Sequence, residues 1–280
     1  MLRQRVLSAA VLVPVLVGAL VLGGPWIVGV VAVITALAAL EVFALLRAAG
    51  YPAFRTLGGL LAVAIVLDAA APPVLEGSGL LVMGIGLAVI GVACFALPEP
   101  TEGLTTWVMT VFGAAYVSLL GFVLRVAEAG AEPGRAPLPG SMLEPVGAER
   151  AWILVLVLAV WSYDTGAYFA GRRFGRRRFL TRISPSKTYA GLFGGLAAAA
   201  LVTAAMLAGF GQPPLAGLAL GLLLGLAAQA GDLAESMLKR AAGATDSGRL
   251  IPGHGGILDR IDSFLFAAPA LMLYVVVAAG

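Results

Sequence analysis

The sequence is poor in charge and has almost no cysteine or histidine. Only 12% of its 280 residues are charged, whereas an ordinary soluble domain carries about 25%. The single cysteine, Cys94, excludes an internal disulfide and a cysteine metal site. Because Cys94 lies in an apolar run, we interpret it as a small hydrophobic residue. The single histidine, His254, leaves a structural and a chemical role open.

The sequence instead contains many long stretches of apolar residues. Hydrophobic residues make up 60% of the chain, and several stretches reach the roughly 18–20 apolar residues that cross a bilayer. We therefore predict an all-α, polytopic transmembrane helical protein with about nine spans. A second apolar run follows the first without a convincing cleavage site, which argues against a signal peptide. The predicted spans are 6–22, 26–46, 57–71, 79–97, 105–125, 151–171, 189–210, 214–231 and 263–279.

The placement of lysine and arginine predicts the orientation of these spans. With a cytosolic N-terminus, fifteen of the eighteen basic residues face the cytosol. Three face the other side, namely Arg125, Arg135 and Arg150. The bias therefore predicts a cytosolic N-terminus, and an odd number of spans places the C-terminus outside.

The same topology divides the chain into two predicted regions. Residues 1–150 are expected to hold about five N-terminal spans and an external loop. Residues 151–280 are expected to form a catalytic membrane region of about four spans. Its cytosolic loops, 172–188 and 232–262, contain most of the polar residues that are suited to chemistry.

A polar stripe follows the predicted span 214–231. Asp232, Glu235, Ser236 and Lys239 are spaced to lie on one face of a helix. Ionisable groups at a membrane edge are costly unless they face a protein interior or a wet cavity. The stripe therefore indicates a functional face, and a solvated helix end with an acid–base pair is the alternative.

A glycine-rich segment precedes two further aspartates. Residues 252–256, the glycine loop, read Pro-Gly-His-Gly-Gly, and Asp259 and Asp262 follow on one predicted helix face. A loop with exposed amides that opens a helix is a place where phosphate binds. Mg²⁺ takes one or two carboxylates together with substrate phosphates. We therefore expect Asp232 and Asp259 to form a Mg²⁺ site.

Two other segments add polar groups on the same predicted face. Residues 183–188 read Ile-Ser-Pro-Ser-Lys-Thr, and a lysine among hydroxyls suits phosphate binding. The nearby arginines 176–178 are alternatively a topology signal or a patch for anionic head groups. Asp164, with Tyr168 four residues later, supplies another polar point or an interhelical contact. Together these features predict phosphoryl or nucleotidyl transfer to a lipid and leave the nucleotide open.

Residues 236–262 closely resemble the signature of the phosphatidate cytidylyltransferases, which are CDP-diacylglycerol synthases. Residues 164–168, Asp-Thr-Gly-Ala-Tyr, and residues 183–188 are also similar to motifs of that family. The resemblance implies transfer of a cytidylyl group from CTP to phosphatidic acid, with release of pyrophosphate and a requirement for Mg²⁺. It also implies a multi-pass homodimer among the lipids of the inner or plasma membrane, with its active site facing the cytosol. No nucleic-acid partner is expected.

Carried onto this sequence, the resemblance implies specific site residues. The expected catalytic residues are Asp232, Asp259, Lys239 and Asp246, and the first two are also the expected metal ligands. The expected substrate-binding residues are Asp164, Ser184, Lys187, Thr188, Arg240, His254, Gly255, Gly256, Arg260 and Asp262. Two positions depart from the family pattern, because Thr245 replaces a usual lysine and Ala190 a usual glutamate.

Three other functions stay open at this point. A CTP-dependent lipid kinase would transfer the terminal phosphate instead. A transporter would carry acidic residues near the middle of several spans, whereas most acids here lie at span ends, Glu41 among them. A catalytically weakened relative with a structural role would agree with the changes at Thr245 and Ala190.

Overall fold

A computed structural model describes residues 10, 14–70, 78–251, 253 and 255–278. Within these residues the regular structure is helical, and the only β-type pairs are isolated bridges. A first helix, α1, covers residues 14–22. The helices that follow are α2 (Gly24–Ala48), α3 (Arg55–Ala69), α4 (Ser78–Cys94), α5 (Pro100–Ser118), α6 (Phe122–Gly130), α7 (Ala148–Phe174), α8 (Tyr189–Ala208), α9 (Pro214–Ala241) and α10 (Leu258–Ala278).

The predicted helical membrane protein is confirmed. Among the described residues, six helical segments are long and apolar enough to cross a bilayer, including α5 continued through α6 as Pro100–Gly130. Large apolar side chains lie on the surface, for example Phe95 at 82% and Leu201 at 67% exposure, as expected of a multi-pass membrane protein. The count of nine spans stays a prediction, because α3 has only 15 residues and span 6–22 lies partly outside the described residues.

The helix ends follow from local sequence. Pro25 and Pro100 each lie in the first turn of a helix, where a missing N–H costs nothing. Basic residues occupy the last turns of α7 and α9, where they complement the helix dipole. These helices continue to Phe174 and Ala241, beyond the predicted span ends at 171 and 231. The predicted cytosolic loops therefore begin as helix.

The chain forms two compact units. The first unit contains the described residues up to Leu124 together with Leu238–Ile261, and the second contains Arg125–Met237 with the described residues from Asp262 onward. In the first unit, the fully enclosed Phe43 ring of α2 packs on two glycines of other helices, Gly58 and Gly113. The predicted division at residue 150 stays a prediction.

The second unit depends on close helix approach. A Cβ added at Gly221 of α9 would lie 2.5 Å from the Ala199 oxygen and 2.5 Å from the Ala200 Cα of α8. A Cβ at Gly217 would overlap Ala204, and one at Gly225 would lie 2.9 Å from Leu196. Small residues at such spacing let the backbones of membrane helices meet. These glycines therefore have a packing role.

This packing generates a stability prediction. We expect Gly221→Ala to destabilise the protein by about 1–3 kcal/mol, because the added methyl would overpack the interface. Gly29→Ala is the matched control, since nothing lies within 4 Å of a Cβ at that helical glycine. Its effect should stay below about 1 kcal/mol. Thermal unfolding of both variants in detergent micelles measures the difference, and equal shifts would contradict the packing argument.

Candidate active site

The C-terminal part of α9 carries the predicted polar stripe in helical form. In the second unit, Lys187 Nζ forms an ion pair with Asp232 Oδ2. Ser236 Oγ lies 3.4 Å from Asp232 Oδ1 and donates to it. The side chains of Lys187 and Asp232 are 23% and 22% exposed. The structure thus brings together a lysine and an aspartate that sequence reasoning had assigned to different motifs.

A short bonded loop presents Lys187. The Phe179 amide donates to the Lys187 carbonyl at 3.2 Å, and the Ser184 amide donates to the Leu180 carbonyl at 3.0 Å. Leu180 has a φ of 50°, which is uncommon for a residue with a branched side chain. Ser184, a predicted substrate contact, is only 7% exposed. The loop therefore holds the lysine on a fixed backbone beside α9.

Thr188 and Asp164 lie near this loop in sequence and have different surroundings. Thr188 is the N-cap of α8, where its Oγ1 accepts a hydrogen bond from the Gly191 amide at 3.1 Å. That bond explains its place at a helix start, and its substrate role stays a prediction. Asp164 is exposed on α7. About two turns later on the same helix, Arg172 Nη1 donates to the Tyr168 hydroxyl at 2.7 Å.

The first unit contains a second lysine–aspartate pair. Lys239 Nζ lies 2.7 Å from Asp259 Oδ1, and their side chains are 12% and 8% exposed. Asp259 Oδ2 accepts hydrogen bonds from the Ser247 amide at 3.0 Å, the Ser247 hydroxyl at 2.9 Å and the Gly256 amide at 2.8 Å. Hydrogen bonds to a charged group contribute about 1.5–3 kcal/mol each. The Asp259 carboxylate is therefore held in one orientation by both of its oxygens.

The described part of the glycine loop is a tight turn. Gly255 has a φ of 82°, and its carbonyl accepts from the Ile251 amide at 2.9 Å. A Cβ added at Gly255 would lie 2.6 Å from Asp259 Oδ2 and 3.5 Å from Asp246 Cβ. Glycine is needed here both for the backbone conformation and for the approach of Asp259. The turn also places the predicted catalytic residue Asp246 beside that carboxylate.

Sequence reasoning missed one carboxylate of this cluster. Glu41 of α2 is 5% exposed. Its Oε1 accepts from the Ile257 amide at 3.0 Å, and its Oε2 accepts from the Leu258 amide at 2.8 Å and the Ser247 hydroxyl at 3.0 Å. A buried anion needs such donors, and a helix N-terminus supplies them. A lone acid near the end of an apolar span was the available signal.

These bonds correct one expectation. The amides of the glycine loop were predicted to be exposed and open to phosphate. One of them, the Gly256 amide, instead donates to Asp259, and the next two amides, those of Ile257 and Leu258, donate to Glu41. The reason is that the chain provides its own carboxylates as the anions at this helix N-terminus.

Two further predicted residues, Arg240 and Asp246, contact their own segment. Arg240 Nη1 donates to the Ala244 carbonyl at 3.0 Å, beyond the end of α9. Thr245 Oγ1 donates to Asp246 Oδ2 at 3.3 Å. Thr245, which departs from the family pattern, thus contacts the aspartate that follows it.

The remaining predicted residues lie at or near α10. Asp262 Oδ1 accepts from the Ser263 amide at 2.7 Å, and Arg260 is exposed. His254, like Pro252, lies outside the described residues. The roles assigned to these residues stay predictions.

Asp232 and Asp259 each have the kind of side chain that binds a hard cation. Asp232 and Asp259 offer carboxylate oxygens, and each is paired with an ammonium group in its own unit. Among the residues that the structure describes, no group of three or more His, Cys, Asp or Glu side chains is placed to hold a metal. Mg²⁺ commonly uses one or two carboxylates and completes its shell with water and substrate phosphates. The metal role of the two aspartates stays a prediction.

Comparison with known proteins supplies the family. Residues 3–278 match the cytidylyltransferase family. The chain is 34% identical over 294 residues to a phosphatidate cytidylyltransferase of Synechocystis sp., covering 98% of this chain and 96% of that protein. A Brucella suis phosphatidate cytidylyltransferase is 48% identical over 137 residues, covering 47% of this chain and 48% of that protein. A Staphylococcus aureus phosphatidate cytidylyltransferase is 46% identical over 127 residues, covering 45% and 49%. The chain therefore belongs to the cytidylyltransferase family.

Proposed function

We propose that this protein is a phosphatidate cytidylyltransferase, which makes CDP-diacylglycerol and pyrophosphate from CTP and phosphatidic acid. The observation that carries the proposal is that several donors of segment 236–262 bind one carboxylate of the same segment, that of Asp259. Lys239, Ser247 and Gly256 of that segment all donate to Asp259. The names of the relatives support the same reaction, both the one matched over nearly its whole length and the one matched over about half of its length.

The proposed reaction is a displacement at phosphorus. A phosphate oxygen of phosphatidic acid attacks the α-phosphorus of CTP and forms the new phosphorus–oxygen bond. The bond from the α-phosphorus to the oxygen that bridges to the β-phosphate breaks, and pyrophosphate leaves with that electron pair. Such transfers depend mainly on positioning and on neutralising phosphate charge. A chain that offers lysines and carboxylates at helix ends is suited to this task.

Each lysine–aspartate pair has a role in the proposal. Lys187 and Lys239 would bind phosphate oxygens as point charges, and their aspartates keep both ammonium groups in place between turnovers. Asp232 and Asp259 are the residues that would hold Mg²⁺. When bound, Mg²⁺ supplies neutralising charge to the transferring group and to the departing pyrophosphate. Asp246, beside Gly255, completes the proposed catalytic set.

The proposal includes where the reaction takes place. Fifteen basic residues on one predicted face against three on the other support a cytosolic active site, in the inner or plasma membrane. CTP is a cytosolic nucleotide, which agrees with that orientation. The family resemblance supports a homodimer. Phosphatidic acid would reach the site from the bilayer along the exposed apolar surface of the helices.

The direct test is product analysis with purified protein. CTP labelled at the α-phosphate should transfer its label to lipid, with one pyrophosphate released for each CDP-diacylglycerol. Excess chelator should abolish transfer, and added Mg²⁺ should restore it. Release of CDP with a phosphorylated lipid would instead identify a CTP-dependent kinase. Full transfer in chelator would contradict the metal role.

A second prediction concerns the Lys187–Asp232 pair. We expect Lys187→Met to lower kcat by about 100-fold, the scale seen when one charge-stabilising donor is lost from an active site. Arg182→Met is the matched control, since it removes the same charge from an exposed position of the same loop. Arg182→Met should retain most activity. Equal losses in the two variants would show that only the net charge of the loop matters.

A third prediction concerns orientation. In a Cys94→Ala background, Arg176→Cys and Met142→Cys should react with an impermeant thiol reagent from opposite faces of the membrane. Both positions are exposed, Met142 at 95%, so access to the reagent depends on the face alone. In intact cells only Met142→Cys should be labelled. Equal labelling of the two variants would refute the predicted topology.

A further inference from the structure

The acidic residue Glu41 is distant in sequence from the segment it binds. It lies on α2, and its partners Ser247 and Leu258 are 206 and 217 residues away. All three residues belong to the first compact unit. Glu41 is 5% exposed, so its charge is compensated by the hydrogen bonds of this segment rather than by water. An N-terminal membrane helix is thereby tied directly to the candidate active site.

The backbone of the segment is shaped around this carboxylate. A Cβ added at Gly248 or at Gly256 would overlap the Glu41 carboxylate, and at Gly256 it would also overlap the Ser247 hydroxyl. Glycine at both positions lets the backbone close around the side chain. Two of the residues that surround Glu41, Ser247 and Gly256, therefore also bind Asp259.

Ser247 connects the two carboxylates. Its Oγ lies 3.0 Å from Glu41 Oε2 and 2.9 Å from Asp259 Oδ2, and it accepts from the Asp259 amide at 3.3 Å. A hydroxyl has one proton, so it donates to one carboxylate at a time. Glu41 also holds the Ile257 and Leu258 amides at the first turn of α10, the turn that carries Asp259.

We propose that Glu41 is a positioning residue for cytidylyl transfer. By fixing Ser247 and the first turn of α10, it keeps Asp259 Oδ2 bonded to the protein and Asp259 Oδ1 directed at Lys239. This inference rests on the proposed function. It assigns a role in the reaction to a helix that contributes no residue to the family signature.

The test is the isosteric variant Glu41→Gln. Its side chain keeps one acceptor oxygen and presents an NH2 group in place of the other, so either the Ile257 or the Leu258 amide loses its acceptor. Loss of a residue that orients an active-site group typically lowers activity by about 10–100-fold. We expect a fall of that size in kcat, with a smaller change in the KM for CTP. Ser247→Ala should act through the same contacts. The double variant should therefore lose little more activity than Glu41→Gln alone.

Thr110→Val is the matched control for stability. Thr110 is fully buried in the same unit, where its Oγ1 donates to the Thr106 carbonyl at 2.6 Å and accepts from the Phe54 amide at 2.9 Å. It contacts none of the residues around Asp259 described above. The control should lower thermal stability and retain kcat per folded molecule.

Hydrogen exchange gives a measurement that does not depend on turnover. The amides of residues 255–262 should exchange faster in Glu41→Gln than in wild type, and Thr110→Val should leave them unchanged. Wild-type protein without transfer activity would overturn the proposed function itself. Active wild type together with full kcat in Glu41→Gln would overturn only the positioning role, as would equal losses of kcat in Glu41→Gln and Thr110→Val.

Discussion

The cost of placing a carboxylate away from water shapes the first unit. Glu41 and Asp259 have side chains that are almost completely enclosed, and an enclosed anion persists only where donors surround it. The chain provides those donors at the start of α10, where backbone amides have no partner within the helix. Glycines at 248, 255 and 256 allow the backbone to approach both side chains. The sharp turn, the helix start and the orientation of Asp259 all follow from this one requirement.

Much of the site was predictable because it is encoded locally. The spacing of Asp232 and Ser236 predicted one helical face, and α9 continues through both residues. The glycine loop predicted the start of a helix, and α10 begins at Leu258. Hydrophobic length predicted membrane helices. Periodicity and turn chemistry act over a few residues, so a single sequence contains them.

The rest depends on contacts between distant segments. Nothing in the local pattern connects Glu41 with Leu258, because that contact is tertiary. For the same reason the local pattern does not show that a residue of α2 binds the amides of Ile257 and Leu258. The helices α7 and α9 also continue beyond the predicted span ends, since helices can leave the apolar region where basic last turns stabilise them. Hydrophobicity predicts where the chain crosses the bilayer, whereas the end of a helix also depends on the polar residues that follow the apolar stretch.

The sequence separation of 217 residues between Glu41 and Leu258 has a consequence for biosynthesis. Chains emerge from the ribosome N-terminus first, so α2 enters the bilayer long before the start of α10 has been made. During that interval the Glu41 carboxylate lacks its amide partners and relies on interfacial water or passing cations. The contact forms only when the last membrane helix arrives. A ribosome that stops early therefore leaves the acid of α2 without the donors at the start of α10.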